Sequence, residues 1–157
     1  AIWLGEDLGS QTSTLISPED WRKRFKPRHR RMIEKLRKEK PDLIVIMHSD
    51  GAVAPLIDDF IEIGVDVYNP VQPNVPGSEP RELKERYGEK ICFFGGIDQQ
   101  SLLPSGDLIK IRAEIWERMA ILGKDRGYLL APAHILQPGV SPDPIEAVVQ
   151  AVSEPVI

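Results

Sequence analysis

The stretch Leu43-Ile44-Val45-Ile46-Met47-His48-Ser49-Asp50-Gly51 decides how the rest of the chain is read. Five apolar residues, three of them β-branched, run unbroken into a histidine, a carboxylate and a glycine. An apolar run of this length predicts a strand buried on both faces, as in a parallel sheet covered by helices. In such sheets functional groups collect where a strand ends and the next loop begins. His48 and Asp50 stand at that point.

The same pattern of strand, loop and helix repeats on either side. Upstream, Ile2-Trp3-Leu4 predicts a short strand, and Ser17 caps a helix whose first position is Pro18, where a missing N–H costs nothing. That helix is expected to run to about Lys40, with Pro41 stopping it. Its apolar stripe would be Phe25, Met32, Ile33 and Leu36. Downstream, a helix from about Ala52 to Gly64 carries Leu56, Ile57, Phe60 and Ile61 on one face. Strands follow at Val65–Asn69, Lys90–Gly96 and Tyr128–Ala131. Helices follow at Pro80–Tyr87, Asp107–Leu122 and Pro142–Val152. Five successive βα units predict a parallel α/β protein. A closed parallel barrel needs eight units, and an open doubly wound sheet would show a glycine-rich phosphate loop that is missing here. The chain therefore reads as part of a barrel.

Composition sets the outer bounds. The 157 residues suffice for one domain, 41% of them are hydrophobic and 28% charged, and no apolar run nears the roughly 20 residues of a membrane span. One cysteine, Cys92, excludes an internal disulfide and fits a cytoplasmic protein. A net charge of −4 argues against a dedicated nucleic-acid binder. Eleven of the 20 Lys and Arg residues nevertheless fall between Arg22 and Lys40. They read as the wet face of an amphipathic helix, because no aromatic platform or glycine-rich loop accompanies them.

If the strands are parallel, the polar groups at their ends share one rim. They are Glu6, Asp7 and Gln11; His48 and Asp50; Asn69 and Gln72; Asp98, Gln99 and Gln100; and His134 and Gln137. Asp7, Asp50 and His134 are the candidates for catalysis, and Gln11, Gly51, Asn69, Gln72 and Asp98 for substrate contacts. His48-x-Asp50 with the distant His134 makes a three-ligand set suited to Zn²⁺, Fe²⁺ or Co²⁺, with a position open for a reactant. Asp7 or Glu6 would supply a fourth ligand. The same residues equally suit a metal-free polar pocket in which the histidines carry protons. Gly51 would leave backbone N–H groups free to hold an anion, or simply make a tight turn. Gly95-Gly96 fits a close backbone approach or positive φ. Cys92, Trp3, Trp21 and Trp116 read as packing residues, and His29 as surface.

Read in order, the strand ends carry a resemblance. The pieces are Glu6-Asp7-Leu8-Gly9-Ser10-Gln11, Ile16-Ser17-Pro18-Glu19-Asp20-Trp21, His48-Ser49-Asp50-Gly51, Gly64 to Pro73, Phe94-Gly95-Gly96-Ile97-Asp98 and Leu130-Ala131-Pro132-Ala133-His134. Together they resemble the uroporphyrinogen decarboxylase superfamily over essentially the whole chain. The resemblance implies a TIM (β/α)₈ barrel of which residues 1–157, one domain, are the C-terminal five-eighths.

Two chemistries are implied. The superfamily's decarboxylases remove acetate carboxylates from a porphyrinogen without metal, using an aspartate and arginines from the N-terminal part, which lies outside this chain. His134 resembles their C-terminal active-site histidine. The related methyltransferases move a methyl group to or from a corrinoid carrier or a thiol, with zinc held by a His-x-Cys pair and a later Cys. Here His48 matches the histidine, Asp50 stands at the first cysteine and His134 at the second. The expected function is metal-assisted methyl transfer involving a corrinoid or a small methylated substrate. The alternatives are decarboxylation of a polycarboxylated tetrapyrrole, and a non-catalytic partial barrel that binds a ligand or partner. An incomplete barrel is also expected to self-associate, or to pair with a chain supplying the missing strands.

Overall fold

A computed structural model describes residues 1–153. Strand β1 (Ile2–Gly5) leads to a short α1 (Pro18–Asp20), a π-helical segment (Trp21–Phe25) and α2 (Lys26–Glu39). Next come β2 (Val45–His48), a 3₁₀ turn (Ala54–Leu56), α3 (Ile57–Glu62), β3 (Val67–Val71) and α4 (Pro80–Tyr87). The last elements are β4 (Cys92–Ile97), α5 (Leu102–Ser105), α6 (Leu108–Leu122), β5 (Tyr128–Pro132) and α7 (Pro142–Ser153). The strands are all parallel and lie in chain order, β1-β2-β3-β4-β5. This is the five-unit arc of a (β/α)₈ barrel that the sequence predicts. The last four residues of the expected 1–157 domain lie outside the described residues. Among the described residues no helix is long and apolar enough to cross a membrane.

Register decides what each face of the sheet does. Leu4 pairs with Met47, Met47 with Tyr68, Tyr68 with Phe93 and Phe93 with Tyr128. This file packs against Ile33 of α2, Phe60 of α3, Leu83 of α4 and Leu122 of α6. A second cluster, with Ile97, Leu103, Ile111 and Ile115, closes the β4 end against α5 and α6.

The other file contains Trp3, Ile46, His48, Asn69, Phe94 and Leu129. Trp3 and Phe94 meet edge to face with ring centroids 5.9 Å apart, although two strands separate β1 from β4. The sheet therefore curls, and this file is its concave, inner side. Here the expectation of a β2 buried on both faces is corrected. Val45 and Met47 are fully buried, but Ile44 and Trp3 are each 50% exposed and Leu129 is 48% exposed. A barrel interior is filled by side chains from the whole ring, so a five-strand arc leaves its inner file partly uncovered. The same holds for Cys92, expected in the core and only half-buried on this file.

The first long helix also departs from expectation. Ser17 caps it as predicted, its Oγ accepting the Asp20 N–H at 3.0 Å. The helix then opens into the π segment, where the Lys26 N–H reaches back to the Trp21 carbonyl. The physical reason is Pro27, which has no N–H to continue the ladder, so the preceding turn widens. The stripe shifts with it. Ile33 is buried and Leu36 half-buried, whereas Phe25 and Met32 are 37% and 39% exposed. Nor is the basic run purely solvated. Arg22 and Lys26 both pair with the buried Asp59 of α3, at 2.8 and 2.6 Å, and Arg37 pairs with Asp66 at 2.6 Å.

Candidate functional site

Parallel register carries the strand ends to one rim, and the loop after β1 locks onto the loop after β2. The Glu6 N–H donates to the His48 carbonyl at 3.0 Å and the Leu8 N–H to Ser49 Oγ at 2.9 Å. The Asp50 N–H donates to Asp7 Oδ1 at 3.4 Å and the Ala52 N–H to the Ser10 carbonyl at 2.8 Å. Ser49 is fully buried. Its role was not foreseen, because a serine between a histidine and an aspartate gives no sequence signal of its own. Gly9 and Gly51 let the two backbones touch. A Cβ on Gly51 would lie 2.5 Å from the Gly9 carbonyl carbon and the Ser10 oxygen. Gly51 also has φ +85°.

Within this frame His48, Asp50 and His134 converge, with one ligand atom of each lying within 4.8 Å of the others. His134 Nε2 is 3.5 Å from Asp50 Oδ2, and the two imidazole centroids are 5.9 Å apart. His48 Nδ1 donates to Asn69 Oδ1 at 2.7 Å. In the neutral ring that bond places the lone pair on Nε2, the tautomer that can bind a cation. Asp7 Oδ1 stands 3.9 Å from His48 Nε2. Burial pushes the Asp50 carboxyl above the ordinary carboxylate range; His48 and His134 pull it back and Asp7 adds to the rise. Glu6, the other acid considered as a fourth ligand, turns away to His29, 3.1 Å distant.

A cleft of about 490 Å³ opens beside the three ligands, lined by Gln11, Asp50, Gln72, Asp98, Gln99, His134 and Gln137 among others. Gln72 Oε1 accepts the Gly51 N–H at 2.7 Å, and Gln72 Nε2 donates to Gln11 Oε1 at 3.1 Å. The backbone donor that the sequence left free for an anion is thus already engaged. Gly95 and Gly96 have the positive φ predicted for them, +111° and +93°, and Gly95 packs on Pro70. Trp3 lies against His48 with centroids 5.7 Å apart, on the concave file.

Asp98 lines the cleft, but its carboxylate works inward. It accepts from the N–H groups of Gln100 and Ser101 at 2.8 and 2.9 Å, from Asn74 Nδ2 at 3.0 Å and from the Ser101 hydroxyl. Burial pushes its carboxyl up, yet the bonds from Ser101, Gln100 and Asn74 more than offset this and hold it below the usual range. A depressed carboxyl contributes stability that is present above its unfolded pKa and lost as pH falls through the folded one. Asp98→Asn is therefore expected to cost about 1–3 kcal/mol at pH 7. The difference from wild type should shrink below the ordinary carboxylate range, as urea unfolding at a series of pH values would measure.

A parallel barrel arc with two histidines and a carboxylate on its C-terminal rim defines an α/β protein of the TIM-barrel class with its site where such barrels place theirs. The chain belongs to the family described as Uroporphyrinogen decarboxylase (URO-D), whose profile matches residues 3–155. It is 32% identical over 110 residues to the uroporphyrinogen decarboxylase of Magnetococcus marinus, a match covering 70% of this chain and 29% of that protein. It is 30% identical over 119 residues to the uroporphyrinogen decarboxylase of Trichodesmium erythraeum, covering 76% of this chain and 31% of that one. The chain thus spans about a third of the curated relatives it matches. Among solved structures, a methyltransferase from Methanosarcina mazei superposes with a TM-score of 0.75 at 21% identity, covering 96% of this chain and 41% of that one. At that identity the likeness is one of fold.

Proposed function

We propose that this rim is the metal-binding side of a methyl-transfer site. In this reading His48, Asp50 and His134 hold a divalent cation such as Zn²⁺, and the adjoining cleft receives a corrinoid or a small methylated substrate. The observation that carries the reading is the convergence of three ligand atoms within 4.8 Å from the ends of β2 and β5. Two imidazoles and one carboxylate are a donor set that divalent first-row metals accept, and three protein ligands leave a position open. When bound, the cation supplies Lewis-acid polarisation of the atom that gives or receives the methyl group. Asn69 keeps the His48 Nε2 lone pair available, Asp50 contributes the negative charge, and Gln72 holds Gly51 and Gln11 in place beside them. Titration of the chain with Zn²⁺ is expected to give one equivalent, and His48→Ala to remove it. Finding no stoichiometric zinc by calorimetry or elemental analysis would overturn the reading.

A second reading, decarboxylation of a polycarboxylated tetrapyrrole, is favoured by the curated relatives. The described lining of the cleft holds the carboxylate of Asp50 and no Lys or Arg, so in this reading the cations that meet a polyanion come from the part of the barrel outside this chain. The zinc titration separates the two, because the decarboxylase chemistry implied by the resemblance runs without metal. The half-exposed inner file and the free edges of β1 and β5 favour assembly with further strands, from a second copy or another chain, around the same rim.

A further inference from the structure

We infer that His29 and Glu6 form a positioning pair that fixes the rim from the helical layer behind it. The inference rests on the reading of His48, Asp50 and His134 as the functional set. In the sequence His29 sits among arginines and looks like surface, but it is only 7% exposed. Its Nδ1 lies 3.1 Å from the Phe25 carbonyl and its Nε2 lies 3.1 Å from Glu6 Oε1. The ring is thus held at both nitrogens, one by its own helix and one by the loop after β1. The fully buried Trp21 stacks on the same ring, centroids 5.9 Å apart and planes at 29°. An aromatic face stacked on the imidazole adds to the fixation. The π segment and the start of α2 thus present a side chain with no freedom to turn.

Glu6 carries that rigidity to the site. Its carboxylate is held by His29, and its own N–H is bonded to the His48 carbonyl. The next two residues, Asp7 and Leu8, bond to Asp50 and Ser49. Three consecutive residues therefore clamp three consecutive residues, and Glu6 ties the clamp to α2. Asp7 faces His48 Nε2 because Glu6 is pinned. Groups that hold the backbone and neighbours of a ligand in this way set the aim of the groups that do the binding.

Nuclear magnetic resonance of the labelled chain tests this without any metal. Glu6→Ala should shift the ring nitrogens of His48 and the amides of Leu8 and Asp50, whereas Glu6→Gln, which keeps an oxygen facing His29, should leave them in place. In a parallel zinc titration Glu6→Ala should weaken binding about tenfold, the scale of a lost outer-shell partner, and Glu6→Gln should restore it to within about twofold. Unchanged His48 and Asp50 resonances in Glu6→Ala would overturn the inference, and so would a Glu6→Gln variant as damaged as Glu6→Ala. If the wild type binds no zinc, the metal reading fails on its own and the His48 and Asp50 resonances alone decide the inference. Glu6 is part-exposed, its side chain 39% accessible, so neither substitution opens the core.

Discussion

Asp50→Asn is expected to take the divalent cation away and leave the fold standing. The carboxylate is the one negative charge in the ligand triad and sits 3.5 Å from His134. Asparagine keeps its shape but is neutral and a poor metal donor. The loss of zinc affinity should exceed the roughly 10–100-fold that outer-shell partners cost, because a direct ligand is removed. Stability should move the other way or hardly at all. Burial already disfavours the charge at this position, as the raised carboxyl shows, and an uncharged amide avoids that cost. Calorimetric zinc titration and thermal melts of the metal-free chain measure the two effects side by side. Undiminished zinc binding in the variant would remove Asp50 from the ligand set. A melting point lowered by several degrees would make it a structural residue.

Gly51→Ala attacks the same rim through the backbone and should be the more destructive change. Its new methyl would lie 2.5 Å from two backbone atoms of the loop after β1, and neither belongs to a side chain that can swing aside. The residue also holds φ +85°, which an L side chain adopts only at a cost. Strain of this kind runs to about 1–3 kcal/mol and overpacking adds a similar amount, so a loss of about 3 kcal/mol or more is expected. For a chain of this size that lowers the melting temperature by about 10 °C. Urea unfolding of the variant beside the wild type checks it. A loss below about 1 kcal/mol would show that the two loops part easily.

Much of this site was legible in the chain itself, for a definite reason. Once Leu43 to Met47 and its four counterparts are read as parallel strands, their ends must share a rim, and the curl of a barrel arc then brings His48, Asp50 and His134 toward one another. Period and polarity suffice for that. They do not say how polar atoms divide their bonds, so Asp98, whose carboxylate is spent on Ser101, Gln100 and Asn74, looked like a ligand contact. Gly51 likewise looked like a free donor, because the Gln72 oxygen that occupies it lies 21 residues away. The half-exposed inner file follows from reading five units as an incomplete barrel and not from the apolar run itself, whose length reports what a side chain prefers. It does not report how many neighbours are present to cover it. His29 was hidden by its company: flanking arginines mark a wet face only if the helix keeps a constant pitch.

The π segment is where that pitch changes. Each residue of an α-helix turns the chain by about 100°, so one residue more or fewer before Lys26 would rotate everything after it through roughly that angle. Ile33 would then leave the sheet, His29 would swing away from Glu6, and part of the cationic face would turn toward the core. The widened turn at Trp21–Phe25 is thus the angular key of the first βα unit. It selects which of the two opposed faces of α2, one greasy and one basic, is shown to the strands.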